Sequence, residues 1–408
     1  MWLLDKALRN YVNSGEIVLI EHDGTTHRYG SPDGGFGSVT VRFADAGVAR
    51  DIVRDPGLGA AEAFMDGRLV VEQGEILDVI NIIRGSHRWE DSTGPNRFLR
   101  KGSRMGHMLR TLNWKPAALR NVSHHYDVGN DFYQLFLDPD LQYSCGYFTN
   151  PANDVTQAQL DKKTHVAAKL RLEPGMKVLD IGCGWGGLAL YLNRVADVDV
   201  LGITLSQAQL DLARQRAAQA GVSDRVRFEL LDYRDVTGTF DRVASVGMLE
   251  HVGQRFYRTY FQKIREVLKP DGIAIVHTMA RLSGPGTTDK FMQKHIFPGG
   301  YLPALSEIVA ASEQARLIMA DCETWRLHYV YTLRDWYERL KASEAEVLRL
   351  YDARLYRLYL FYLAASLTMF RDAAMGVYQI QYLRDRAAAP ITRDYMLEEE
   401  ARLRIAAA

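Results

Sequence analysis

Hydrophobic and polar positions follow two rhythms along the chain. Near its start, Ile17-Val18-Leu19-Ile20 and Thr26-His27-Arg28-Tyr29 flank His22-Asp23-Gly24. That is a hairpin signal, because glycine accepts the positive φ of a tight turn. Ser38-Val39-Thr40-Val41-Arg42-Phe43 alternates as a third strand. Helical spacing follows over 60–65, closed by Asp66-Gly67, and again over 75–83. Residues 1–83 thus read as a small α+β domain without a catalytic constellation.

From about Lys177 the rhythm changes. Short apolar runs at 178–181, 198–203, 226–231, 242–246 and 273–278 are of strand length, and helical segments separate them. One such helix spans 206–220, with Ser206 as N-cap and Gly221 as its stop, and Pro270 and Gly272 end another. Alternation of this kind predicts a parallel sheet with helices on both faces. Tyr378, Ile380 and Tyr382 alternate with Gln379 and Gln381 as a final strand. The intervening stretch, 281–370, is mostly helical and rich in Tyr, Trp and Phe, and reads as an insertion above the sheet. Its apolar run at 358–370 is a buried helix, since a membrane span needs ~20 residues.

Composition narrows the picture. The chain has 408 residues, 47% hydrophobic and 25% charged, which suits two or three globular domains and excludes a disordered or fibrous chain. Lys+Arg and Asp+Glu are 50 each, so no whole-surface grip on nucleic acid is expected. Charge is local instead: between 84 and 120, nine Lys or Arg stand against Glu90 and Asp91. This basic segment reads either as a solvated linker with snorkelling side chains or as a patch docking on anionic membrane. The expected domains are 1–83, the basic linker 84–120, and a catalytic domain 121–408 with its insertion around 281–370. Three cysteines and a start without an apolar export signal point to a cytoplasmic protein.

The chemistry gathers at Val178-Leu179-Asp180-Ile181-Gly182-Cys183-Gly184-Trp185-Gly186-Gly187. A strand runs through close-spaced glycines into a helix, whose N-terminus presents unpaired N–H groups to an anion. Dinucleotide sites use the same turn. Asp180, two residues before the first glycine, meets a cationic amino group, so the better ligand is S-adenosylmethionine (SAM). The second strand lacks the usual ribose-binding acid and reads Thr204-Leu205-Ser206-Gln207-Ala208-Gln209, where the amide of Gln209 can serve. The third strand does end in an acid, Asp232-Tyr233-Arg234, at the height of an adenine.

With these residues in view, the chain resembles the cyclopropane-fatty-acid synthases, kin of the mycolic acid cyclopropane synthases. The likeness rests on His125-Tyr126-Asp127-Val128-Gly129-Asn130, Gln142-Tyr143-Ser144-Cys145-Gly146-Tyr147-Phe148, the 180–187 loop, Thr204-Leu205-Ser206 and Asp232-Tyr233-Arg234. It continues through Ser245-Val246-Gly247-Met248-Leu249-Glu250-His251-Val252-Gly253, His277-Thr278, Ile296-Phe297-Pro298-Gly299-Gly300 and Trp336-Tyr337-Glu338-Arg339. The implied fold is α/β, a class I SAM-dependent methyltransferase (Rossmann-like sheet) with a helical lipid-binding insertion and the small N-terminal α+β domain.

The resemblance also implies an activity. The methyl of SAM would pass to a cis double bond of an unsaturated phospholipid acyl chain, and a held bicarbonate would take a proton so that a ring closes. Cys145, Glu250, His277 and Tyr337 would surround that bicarbonate, with the backbone of Met279, where the family commonly has Ile. Tyr143, Ser144, Gly182, Gly184, Thr204, Gln209, Tyr233 and Arg234 would line the cofactor, joined by Asp180, Cys183, Gly186, Leu205, Ser206 and Asp232. Tyr126, Phe361, Tyr362 and Phe370 would supply an aromatic substrate pocket suited to developing positive charge. No metal is expected. The enzyme would sit peripherally on the inner face of the cell membrane, where a homodimer would gain from avidity.

Each residue has a structural alternative: Cys145 as inert core thiol, Glu250 as helix-start acid, His277 as core histidine, Tyr337 as helix packing. Three rival outcomes share the cofactor site. They are C-methylation giving branched or methylene lipids, small-molecule N-methylation, and binding without turnover.

Overall fold

The apolar runs become strands because sheets buried on both faces need continuous hydrophobicity. The computed structural model describes residues 1–32, 35–85, 88–91 and 128–407. Its contacts divide the chain into two compact units. The first draws its described residues from Met1–Pro95, Asp289–Ile296 and Leu333–Ala374. The second draws its own from Asn96–Thr288, Phe297–Thr332 and Met375–Ala408. Most of the basic segment, positions 92–120, lies outside the described residues.

In the first unit, β1 (Gly15–Ile20) and β2 (Thr26–Ser31) form the expected hairpin. β3 (Ser38–Phe43) lies parallel to β1, and β4 (Leu69–Gln73) closes the order β2-β1-β3-β4. β4 leaves no sequence signal because only Leu69 of its five residues is buried. The helix Pro56–Met65 starts on a proline at its first turn with Asp55 as N-cap, and the helix Ala353–Asp372 starts on Asp352, which accepts from Leu355 N–H at 2.7 Å.

The second unit holds a seven-stranded sheet. Its strands are β5 (Lys177–Ile181), β6 (Asp199–Thr204), β7 (Val226–Leu230), β8 (Phe240–Val246), β9 (Leu268–Arg281), β10 (Ile318–Trp325) and β11 (Met375–Leu383). The order is β10-β11-β9-β8-β5-β6-β7, with β5 to β9 parallel and β11 antiparallel to both neighbours. Alternate residues feed opposite cores. Val178 packs with Leu188, Leu192, Leu210 and Phe228, whereas Leu179 and Ile181 pack with Tyr260, Phe261 and Ile264. Truncating such a buried Leu to Ala costs about 2–5 kcal/mol.

Two local expectations are corrected. The stretch 281–370 is not simply an insertion over the sheet, because Ile318–Trp325 within it is edge strand β10. Its burial is irregular, with a register shift between Met319 and Asp321, so the period-2 signal is lost. Pro270 and Gly272 do not end a helix, since the helix Tyr257–Val267 has stopped and β9 has begun before them. The residues from Lys269 to Gly272 bulge between the pairs Phe240↔Leu268 and Arg242↔Ile273, which spares the proline a ladder hydrogen bond. No helix among the described residues is long and apolar enough to cross a membrane.

Candidate active site

The sheet reverses its order at β5, with β6 and β7 on one side and β8 on the other. A crevice at the carboxyl ends of strands beside such a switch point is where α/β proteins bind ligands. Here it is a cavity of ≈ 120 Å³. Asp180, Gly182 and Gly184 line it from the end of β5, Thr204 and Leu205 from β6, Tyr233 from β7, and Gly247 and Met248 from β8. A strap preceding the sheet adds Leu141 through Ser144.

The glycine turn is shaped by what a side chain would meet. Gly186 has φ +82°, and a Cβ there would lie 2.6 Å from Phe228 Cζ. Gly182, at φ +81°, lets the strand turn sharply where it enters the cavity. Trp185, in the same turn, lines the cavity and donates its indole N–H to Asn130 Oδ1 at 2.7 Å. Tyr133 lies 5.3 Å from the Tyr143 ring and 5.2 Å from that of Trp185, so the wall is strongly aromatic. Aromatic faces of this kind attract a sulfonium.

Electrostatics favour a cation near Asp180. Its carboxyl is buried, Oδ2 has no hydrogen-bond partner, and burial pushes its pKa up to about 7 against the weaker pull of Lys162. An ammonium ligand would satisfy the orphan oxygen and restore the charge. The residues therefore fit the amino-acid end of SAM. Thr204 Oγ1 donates to Gln209 Oε1 at 2.8 Å, which fixes the amide at the position where a ribose-binding acid is missing.

Ten of the expected cofactor residues line this cavity: Tyr143, Ser144, Asp180, Gly182, Cys183, Gly184, Thr204, Leu205, Gln209 and Tyr233. Four do not. Gly186 shapes the turn, and Ser206 caps the helix Gln207–Gln219 by accepting from Gln209 N–H. Asp232 accepts from Arg234 Nε at 2.8 Å and Nη2 at 2.6 Å, so these two side chains satisfy each other beside the cavity. Sequence reasoning missed Gln142, Met248, His251 and, just beneath the cavity, Lys162. Burial holds His251 near pKa 4, hence neutral. Lys162 left no signal, because Asp161-Lys162-Lys163 looks like an ordinary solvated charge run.

Three of the four expected anion-binding side chains lie in the second unit. Glu250, in the short helix Leu249–Val252, accepts the Met279 N–H at Oε1, 2.6 Å away, while its buried Oε2 has no partner. Burial pushes its pKa up to about 7. His277, on β9, meets Gln379 Nε2 at 3.4 Å and the Trp325 ring edge-on at 4.8 Å. Burial and the nearby cations of Lys162 and Lys169 hold it neutral. Cys145 is buried, and its thiol is pushed far up, so it is an S–H donor to Gly146 O at 3.4 Å and not a thiolate. Tyr337 belongs to the first unit, where its buried hydroxyl donates to Glu75 Oε2 at 3.0 Å. Phe361, Tyr362 and Phe370 are also in the first unit and are not among the cavity's lining; Phe361 packs edge-on to Phe291 at 5.1 Å. Tyr126 lies outside the described residues. Among those residues no cluster of three or more His, Cys, Asp or Glu could hold a metal.

Sheet order and cavity together are those of a class I SAM-dependent methyltransferase. The family model described as mycolic acid cyclopropane synthetase matches residues 114–380, and the chain belongs to that family. It is 35% identical to the cyclopropane-fatty-acyl-phospholipid synthase of Escherichia coli (strain K12), over 88% of this chain and 91% of that one. It is 39% identical to a probable fatty acid methyltransferase of Pseudomonas putida, over 82% and 85% respectively. A crystal structure of a mycolic acid cyclopropane synthase complexed with SAH and CTAB superposes with TM-score 0.62 at 31% identity, over 65% of this chain and 98% of that one.

Proposed function

We propose that this enzyme is a cyclopropane-fatty-acyl-phospholipid synthase. When bound, SAM supplies an electrophilic methyl group to the acyl-chain double bond, and a bicarbonate would accept the proton lost before the ring closes. The reading is carried by Glu250: a wholly buried carboxyl, anchored through Oε1 by the Met279 amide, with Oε2 unpartnered and a pKa near neutrality. Protonated at Oε2, it would donate to an anion; the neutral Cys145 thiol would add another donor on turning its one S–H from Gly146 O, and neutral His277 would orient the anion without competing for it. Tyr337 is the fourth group assigned to this task, and its hydroxyl would have to be shared with Glu75. Tyr143 and Trp185 would shield the sulfonium from water.

The membrane surface is the proposed source of substrate, with the basic 84–120 segment meeting anionic head groups on the cytoplasmic face and two copies binding as a homodimer. Sedimentation with anionic vesicles should then weaken steeply as salt rises. The direct test is expression in a host that lacks the activity. Unsaturated lipids should gain the mass of one CH2 and lose their olefinic protons, and unchanged lipids beside soluble, SAH-binding protein would refute the proposal.

A second reading is C-methylation without ring closure, favoured by the likeness to a probable fatty acid methyltransferase. Met279, where the family commonly carries Ile, is one place where the pocket would differ. Proton NMR of the lipid separates the two, since only a cyclopropane gives far-upfield ring protons.

A further inference from the structure

A second buried charge lies under the cavity and takes no part in the steps above. Lys162, midway along the helix Val155–Leu170, is 1% exposed. Its ammonium donates to Gln142 Oε1 at 2.8 Å and to Ser144 Oγ at 2.7 Å, and both Gln142 and Ser144 line the cavity. A hydroxyl that accepts from an ammonium keeps its own proton for another acceptor. The neighbouring acids are otherwise engaged. Asp138 accepts the amides of Asp140 and Gln142, and Asp140 pairs with Lys163 and Arg216. Lys162 therefore gives these hydrogen bonds to cavity residues and not to a carboxylate.

The same cavity holds Asp180 with its orphan Oδ2. One part of the lining offers a buried carboxyl with an unpartnered oxygen, and another offers a hydroxyl backed by a buried ammonium. An α-amino acid end carries the matching pair of charges, ammonium and carboxylate.

We propose that Lys162, acting through Ser144, is the positioning residue for the carboxylate of the cofactor's amino-acid end, so that Lys162 and Asp180 together read a zwitterion. Burial drives Asp180 up to about 7 against the pull of Lys162, and drives Lys162 down to about 7 against that of Asp138, so an arriving opposite charge favours the ionised form of each. A ligand bearing only one of the two charges would leave the other group uncompensated.

This inference rests on the cofactor reading of the cavity and not on the fate of the lipid. Calorimetric titration with SAH and with 5′-methylthioadenosine, which keeps the adenosine and sulfur but lacks the amino-acid end, tests it. Lys162→Met and Ser144→Ala should each weaken SAH by about tenfold or more, the worth of a hydrogen bond to a charged group. Both should leave methylthioadenosine within about twofold, and the double variant should add little to either single change. Equal weakening of both ligands would make Lys162 a structural prop, and undiminished SAH binding would remove it from recognition. Should Lys162→Met fail to fold, Lys162→Gln takes its place. Ser144→Ala binding SAH at full strength overturns the proposal by itself. Wild-type protein that binds neither ligand would overturn the cofactor reading instead.

Discussion

Glu250 shows what one residue's surroundings demand. In the unfolded chain its carboxyl ionises near 4.5, but in the fold burial holds it near 7. Between those values the folded state binds the extra proton, so stability falls as pH rises, and the penalty is fully developed above about 7. The difference is of order 3 kcal/mol. Glu250→Gln keeps an oxygen for the Met279 amide and removes the ionisation. We therefore expect it to raise the unfolding temperature at pH 8 and to change it little near pH 4.5, as calorimetry at the two pH values would record. Glu250→Leu, which removes the donor at Oε2 as well, should abolish lipid modification while leaving SAH affinity nearly unchanged. Retained activity would exclude Glu250 from the chemistry. No pattern in Leu249-Glu250-His251 announced this environment; the resemblance singled out the residue, while the orphan oxygen is visible only in three dimensions.

At the scale of elements, legibility followed burial. The parallel strands β5 to β9 were readable because most of their residues are buried in short apolar runs, while β7 shows its inner face through the alternation of buried Val226 and Phe228 with exposed Arg227 and Glu229. The helix Val155–Leu170 was not readable, for the opposite reason that charged residues sit inside: Asp161, Lys162, Lys163 and Lys169 are all buried. Periodicity assumes that charge marks the outside, and this helix spends its charges on the strap and on β10. The Gly-rich turn was readable in kind, though not in its separate duties. Gly182 and Gly184 border the cavity, whereas Gly186 makes room for packing against Phe228. Gly186→Ala should accordingly cost at least 2 kcal/mol, roughly the sum of left-handed strain and a core clash. Adding Phe228→Leu should recover part of that loss, as urea unfolding of the single and double variants would measure. Full stability in Gly186→Ala would show that the turn can relax.

Across the whole molecule, charges invisible to composition tie distant parts of the catalytic unit together. His165 stands between Glu323 on β10, at 2.7 Å, and Glu400 on the helix Asp394–Ala407. Lys169 shares Glu323 at 2.6 Å, and Arg404 of the same terminal helix reaches Asp161 at 2.9 Å. Burial opposes protonation of His165, but the two carboxylates outweigh it and raise its pKa. Burial likewise opposes ionisation of Glu323, and His165 and Lys169 outweigh that in turn. The signs fix a window. Stability from His165 is complete below its ordinary value near 6.5 and is lost as pH climbs through the raised one. Stability from Glu323 is complete above its ordinary value near 4.5 and is lost only in stronger acid. Glu400→Gln should therefore lower stability by roughly 2 kcal/mol at pH 6, the worth of a charge-assisted hydrogen bond, and by less at pH 9. It should also move the alkaline decline to lower pH, because His165 keeps only one anion. Unfolding temperatures of the two proteins from pH 5 to 9 decide the matter. Parallel curves would mean that the terminal helix is held by Leu403 and its apolar neighbours alone, with the histidine a bystander.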